Sequence, residues 1–348
     1  MQLKTVPEDF IVVEVAKHDV KEEGPYALIE LTKRGLSTEK VLSEIADSLG
    51  VPRRFLGYAG AKDARALTKQ YITVKIERSD VLERLKRFKR NGIVIRFVGF
   101  LDEPLRLGML ERNRFEIVVR KLGDEALVER NKVPNYFDEQ RFSVANAEIG
   151  KLLIKGDFAG AARRIIETDS EVAPRMQEHL SLKPNDAITA LRHVPRNILL
   201  MYVHSYQSLL WNEVLTAHIK RSDPAAVDVD GPVPIAVPSI DLPDVSIPLF
   251  GFGTQSDPAF ASLYETILAR EGLVPRDFVV RSLPFLTVEG DERDAFFPVE
   301  DLEIGLREPD DIHQGSEKQR LTFTLPKGCY ATMVVKVLYR VGRVQGER

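Results

Sequence analysis

Residues 57–76 read GYAGAKDARALTKQYITVKI. Two glycines, Gly57 and Gly60, stand shortly before Lys62-Asp63, and a β-branched run fills residues 71–76. Glycine lets a backbone turn tightly and approach its neighbours closely, while Val, Ile, Thr and Tyr favour a strand. The stretch reads as a loop entering a strand, with Asp63 on the loop between Lys62 and Arg65. Neighbouring cations favour the charged form of a carboxylate, and a charged carboxylate suits a nucleophile or a general base. A surface ion pair gives the same local pattern, so these residues alone do not choose between the two.

On both sides of this stretch strands and helices mix without βαβ alternation. Residues 10–15 (FIVVEV) and 26–32 (YALIELT) read as strands, with Glu22, Glu23, Gly24 and Pro25 in the turn between them. A helix follows with Ser37 as its N-cap; Val41, Leu42, Ile45, Ala46 and Leu49 share one face, and Gly50 and Pro52 end it. Residues 81–90 form a short basic helix, and 93–98 and 115–119 are further strands. Up to about Phe142 the pattern predicts an α+β domain, a sheet with helices packed on it. Helical periodicity then runs over 145–168 and 203–218, residues 222–257 are rich in loops and proline, and strand character returns at 320–325.

A chain of 348 residues accommodates two domains, or one domain carrying a large insertion. The 44% hydrophobic content supplies a sizeable core and excludes a disordered protein. One cysteine, Cys329, forms no internal disulfide and no Cys-based zinc site. A cytoplasmic protein is expected, with no membrane segment: the N-terminus lacks a signal pattern and no apolar run reaches spanning length. The net charge of -3 hides an asymmetry, because residues 51–120 carry about +9 and the first fifty about -4. A local basic field is what phosphate binding needs, and Arg53, Arg54, Arg84, Lys86, Arg87, Lys89 and Arg90 are its candidate contacts. There is no GxxxxGK[ST] loop, Gly251-Phe252-Gly253 lacks a third glycine, no HExxH occurs, and His204 and His218 are not at metal-ligand spacing.

Six ordered motifs resemble the TruD family of pseudouridine synthases. The segment at 57–70 resembles its glycine-rich loop leading into Lys-Asp and then Ala-x-Thr-x-Gln. Lys4 with Pro7-Glu8-Asp9-Phe10 resembles its N-terminal lysine and Pro-Glu-Asp-Phe. Arg106-Leu107-Gly108 with Asn113-Arg114-Phe115 resembles its Leu-Gly and Asn-x-Phe element, and PNYFDEQRF at 134–142 its Asn-Tyr-Phe-Gly-x-Gln-Arg-Phe block. Gln207-Ser208 with Trp211-Asn212, and LPKGCYATM at 325–333, are similar to its helical and C-terminal motifs. Asp138 and Ser143 stand where the family usually has glycine, which alters the local loop and adds a negative charge.

The resemblance implies a tRNA pseudouridine synthase acting on a uridine, uridine 13 in the family, without metal or other cofactor. It implies a discontinuous catalytic domain, residues 1–144 with 301–348, built on a mixed, largely antiparallel sheet, and an inserted α/β domain at 145–300. The two are expected to form a basic cleft around Asp63. Asp63 is carried over as the catalytic residue, with Lys4 beside it, Phe115 stacking on the flipped base and Asn113 supporting the loop or the base edge. Lys62, Arg65, Asn135, Gln140 and Arg141 are carried over as substrate-binding residues. The partner implied is tRNA, with no protein partner. A non-catalytic RNA-binding or tRNA-chaperone protein on the same fold is the alternative. An RNA methyltransferase is disfavoured, because no glycine-rich nucleotide loop follows a strand.

Overall fold

A computed structural model describes residues 1–254, 257–341 and 345. Residues 255 and 256 of the expected loop-rich stretch, and 342–344 and 346–348 of the expected C-terminal segment, lie outside the described residues. The chain divides into two compact units, one of residues 1–131 with 297–339 and the other of 132–296. The sequence reading placed these junctions at 144/145 and 300/301. No helix among the described residues is long and apolar enough to cross a membrane.

The first unit is built on an eight-stranded mixed sheet. Its strands are β1 (Phe10–Val15), β2 (Tyr26–Arg34), β3 (Leu56–Tyr58), β4 (Leu67–Lys75), β5 (Ile93–Leu101), β6 (Arg112–Leu122), β7 (Glu300–Pro309) and β8 (Glu317–Pro326). The order across the sheet is β7-β8-β6-β1-β4-β2-β5, with β3 paired to β4. The β1–β4 pair is parallel and the other pairings are antiparallel.

Strand β4 starts at Leu67, four residues before the expected 71, because Thr68 and Gln70 are buried in phase with Ile72 although they are polar. The early start lets Leu67, Thr68 and Lys69 pair with Ile11, Val12 and Val13 of β1. This brings the loop ahead of β4 to the middle of the sheet.

Two helices pack on the sheet. Helix α1 (Thr38–Leu49) starts where Ser37 Oγ accepts the Lys40 N–H at 3.3 Å and ends at Gly50 in the left-handed conformation. Its face of Val41, Leu42, Ile45 and Leu49, with Val81 and Leu85 of α2 (Ser79–Arg87), buries Ile29, Leu31, Ile72 and Val74 of the sheet. These residues form the core under the β2–β4 half. The apolar run near the C-terminus is a helix, α3 (Ala331–Tyr339), buried along almost its whole length.

The second unit is mainly helical, with small two-stranded pairs. Its axis is the 27-residue helix Arg196–Ser222, which starts seven residues before the expected 203. Pro195 precedes its first turn, and Leu199, Tyr202 and Val203 are already buried there, so the apolar surface wraps round instead of forming a stripe. The single helical run expected over 145–168 is two helices, Asn146–Ile154 and Phe158–Thr168. Gly156, at φ 74, breaks it.

Candidate active site

Because side chains alternate across a strand, one sheet face collects a chosen subset of residues. In register these are Phe10, Val12 and Glu14 of β1, Asn113, Phe115 and Ile117 of β6, and Leu321, Phe323 and Leu325 of β8. Thr68 and Gln70 of β4 and Leu31 and Lys33 of β2 continue the row. This face holds the apolar core at one end and a polar, partly open floor at the other.

Asp63 stands over that floor on the loop before β4. The loop needs its first glycine, because a Cβ on Gly57 would lie 2.3 Å from the Leu105 carbonyl oxygen. At Gly60 a Cβ would meet Leu110 Cδ2 at 3.2 Å, a tight contact that leaves room only if Leu110 shifts. Several side chains fasten the loop from below. Thr38 Oγ1 accepts the Lys62 N–H at 2.9 Å and contacts Gln70 Oε1 at 3.0 Å, and Gln70 Nε2 donates to the Gly60 carbonyl at 3.2 Å. Lys33 Nζ donates to the carbonyls of Leu36, Asp63 and Lys62 at 2.6, 2.7 and 3.3 Å.

The Asp63 carboxylate is 22% exposed and forms an ion pair and hydrogen bond with Lys4 Nζ. Its other oxygen accepts the Arg65 main-chain N–H at 3.1 Å. Lys4 is nearly buried, its ammonium lies 4.4 Å from the centre of the Phe10 ring, and its backbone sits at φ 55. That left-handed conformation is costly for a lysine and is held only where surroundings over-determine it. Cation–π attraction from Phe10 supports the ammonium from behind.

Lys62 points its charge elsewhere than Asp63. Its Nζ is 3.1 Å from Glu14 Oε2, with the two side chains 3% and 0% exposed. Burial is the main influence on the Glu14 carboxyl and pushes it above its usual range, with the Lys62 charge opposing. Arg65 is exposed, at the rim of the loop.

Phe115 is a sheet residue packed edge-on to Phe10 (6.1 Å) and tilted against Phe323 (5.6 Å), with 7% of its surface exposed. Asn113 lies two residues along the same face, and its Oδ1 is buried with no hydrogen-bond partner among the described residues. Lys4, Lys62, Asp63, Arg65, Asn113 and Phe115 therefore all belong to the first unit.

Asn135, Gln140 and Arg141 belong to the second unit. Asn135 is buried; its Nδ2 donates to the Asp294 carbonyl at 2.9 Å and its own carbonyl accepts from Arg293. Arg141 Nε donates to Ser208 Oγ at 3.1 Å, and its guanidinium lies 5.6 Å from the Phe137 ring centre. Gln140 is exposed. Asn212 clamps the Phe137 main chain from both sides, at 2.9 and 2.8 Å, and Gln207 Nε2 holds the Phe250 carbonyl at 2.9 Å. Asp138, in place of a family glycine, caps the short helix Glu139–Phe142 by accepting the Glu139 N–H. Ser143, in place of another, sits at φ 47, a region that favours glycine.

The basic residues of 51–90 are mostly neutralised locally. Arg53 makes a two-pronged pair with Glu39 at 2.9 and 2.8 Å, Arg90 meets Glu44 at 3.2 Å, and Lys86 and Arg87 approach Glu83. Arg54 and Lys89 have no carboxylate partner among the described residues.

Sequence reasoning passed over Lys33, Thr38, Glu14 and Phe323. Two of them carried a signal: Glu14 lies in phase with Phe10 and Val12, and Lys33 with Ile29 and Leu31, so each places a charge on the core side of its strand.

The model of the family described as tRNA pseudouridine synthase D (TruD) matches residues 1–178, 168–237 and 243–338. The chain is 29% identical to the tRNA pseudouridine synthase D of Aquifex aeolicus, over 97% of this chain and 98% of that protein. It is 32% identical to a probable tRNA pseudouridine synthase D of Methanopyrus kandleri, over 90% and 86%. A crystal structure of a putative tRNA pseudouridine synthase D from Methanosarcina mazei superposes with a TM-score of 0.73 at 25% identity, covering 98% of this chain and 94% of that one.

Proposed function

Because the chain belongs to the tRNA pseudouridine synthase D (TruD) family, we propose that it isomerises uridine 13 of tRNA to pseudouridine with Asp63 as the attacking group. The observation that carries this reading is the Asp63 carboxylate, paired with a nearly buried Lys4 and left part-exposed on a loop fastened from several elements.

The reaction breaks N1–C1′ of the uridine, turns the uracil and closes C5–C1′, with a proton lost from C5 and one gained at N1. It is an isomerisation and calls for no external electron donor or acceptor. Asp63 serves it either by attacking the sugar carbon or by removing a sugar proton; each route uses one carboxylate. The ammonium of Lys4 keeps that carboxylate in place and balances its charge until the sugar arrives. The target base must leave its stack to reach the site. Phe115, backed by the buried rings of Phe10 and Phe323, offsets part of that cost by stacking on the base. The Asn113 Oδ1, without a hydrogen-bond partner among the described residues, is an acceptor suited to the imide N–H of uracil. In the first unit Lys62 fixes the loop and Arg65 offers an exposed polar group to RNA; in the second unit Gln140 is exposed to RNA, and Asn135 and Arg141 shape that unit's own surface. Residues 1–131 with 297–339 are then the catalytic unit and 132–296 the insertion.

The test is to incubate wild type and Asp63→Ala with unmodified tRNA transcripts and map pseudouridine by carbodiimide treatment and primer extension. A stop at position 13 that appears with wild type and vanishes with Asp63→Ala is expected. Tight tRNA binding with no stop at any position would leave the binding-only protein as the better description.

A further inference from the structure

Lys33 is a fully buried cation without a carboxylate partner among the described residues. The apolar phase of β2 runs Ile29, Leu31, Lys33, so the lysine enters the core where a third aliphatic side chain would otherwise stand. Its three donors meet three main-chain carbonyls, those of Leu36, Asp63 and Lys62. An ammonium has three N–H groups and no acceptor, so its hydrogen-bonding capacity is used in full. Burying an ammonium on carbonyl dipoles alone is expensive. Burial, the largest influence, brings the Lys33 ammonium down to about 8, with the charge of Asp63 opposing and that of Lys62 reinforcing. A scaffold that needed only to hold a loop has cheaper means, and Thr38 and Gln70 supply them at Lys62 and Gly60.

We propose that Lys33 is a positioning residue for the isomerisation: its ammonium ties the main chain of Asp63 to the β2–α1 turn at Leu36 and presents the Asp63 carboxylate at one height above the sheet. The proposal rests on Asp63 being the attacking group. Two cations then serve one carboxylate in different ways. Lys4 touches it directly, and Lys33 holds the backbone that carries it. The charged groups facing the Lys33 ammonium are Asp63 and Lys62, which are themselves paired with Lys4 and Glu14.

A displacement of the attacking atom by about 1 Å costs on the order of 100-fold in rate. Single-turnover pseudouridine formation at saturating enzyme should therefore fall about 100-fold in Lys33→Met, with tRNA affinity within about threefold of wild type. The smaller Lys33→Ala, assayed with propylammonium, should regain about tenfold in rate in a saturable manner, and propanol should not replace the amine. Lys33→Met that is folded and as fast as wild type overturns the proposal, as does rescue by propanol equal to that by the amine. Failure of both variants to fold, with or without amine, makes Lys33 a folding residue and likewise overturns it. Asp63→Asn run alongside separates the two levels. If Asp63→Asn is active, the parent reading fails; if it is inactive beside a full-rate Lys33→Met, only the positioning role fails.

Discussion

The Glu14–Lys62 pair joins the loop of Asp63 to the centre of the sheet, and its removal is the perturbation with the most calculable outcome. The two charges are 3.1 Å apart and their side chains almost wholly inaccessible. At an effective dielectric of about 20 that separation corresponds to roughly 5 kcal/mol of attraction, much of it offset by the cost of taking both ions out of water. Lys62→Met leaves a buried carboxylate and Glu14→Leu a buried ammonium, so each single change should destabilise by about 3–5 kcal/mol. The double variant leaves neither and should return to within about 1 kcal/mol of wild type, a coupling of about 5 kcal/mol or more. Urea melts with unchanged m-values measure this. The pH dependence supplies a second check. Burial already pushes the Glu14 carboxyl up, and losing Lys62 strengthens that tendency. The folded Lys62→Met protein then binds more protons than the unfolded chain, so its stability deficit shrinks as pH falls from 7 to 5. The double variant should nonetheless turn over more slowly than wild type, because the loop has lost its tie to β1. Single-variant effects that add within about 0.5 kcal/mol, with no change between pH 7 and 5, would refute the buried-pair reasoning.

Three further outcomes follow from other parts of the molecule. Ser143→Gly relieves a backbone held at φ 47 and should raise stability by about 1 kcal/mol, read as a higher urea midpoint at constant m-value. The Lys33 ammonium, lowered to about 8, lets the unfolded chain hold more protons than the folded one between about pH 8 and 10.5. Wild-type stability should therefore climb relative to Lys33→Met across that window, by at most about 1.4 kcal/mol per pH unit; parallel curves would contradict it. In tRNA binding as a function of salt, Arg54→Ala and Lys89→Ala should each lower the log–log slope by about 1, whereas Arg53→Ala, whose guanidinium is already paired with Glu39, should change it little.

Much of the first unit was legible because its patterns are local. The α1 face, its Ser37 cap and its Gly50 stop all lie within one short segment, and the β1 and β2 runs are dense in β-branched residues. What escaped depends on partners far away in sequence. Strand β4 hid its first turn of pairing because Thr68 and Gln70 are polar, and only their places opposite Val12 and Leu31 make them core. The long helix hid its start because a segment buried all round has no stripe to read. At the site, Asp63, Lys4, Asn113 and Phe115 carry motif signals in the sequence. Phe323 does not, since a lone phenylalanine in a strand looks ordinary until the register sets it against Phe115, and the phase of Lys33 with Ile29 and Leu31 marks a core-side charge without revealing that it lies under Asp63.

The position of β8 beside β6 has a consequence for biogenesis. Asn113 and Phe115 lie on β6, yet the strand that covers their far side, from Glu317 to Pro326, is about two hundred residues further along. A nascent chain that has emerged only through β6 presents that strand as a bare edge, the kind of surface that pairs with other chains when left open. Contacts of such long sequence separation form late and slowly. Translation must run past Pro326 before the aromatic floor can close, so the protein passes through an interval in which Lys4, Asp63 and Phe115 exist as a half-built centre. Chaperone demand should concentrate in that interval, and truncations that end before β8 should aggregate instead of yielding a smaller active enzyme.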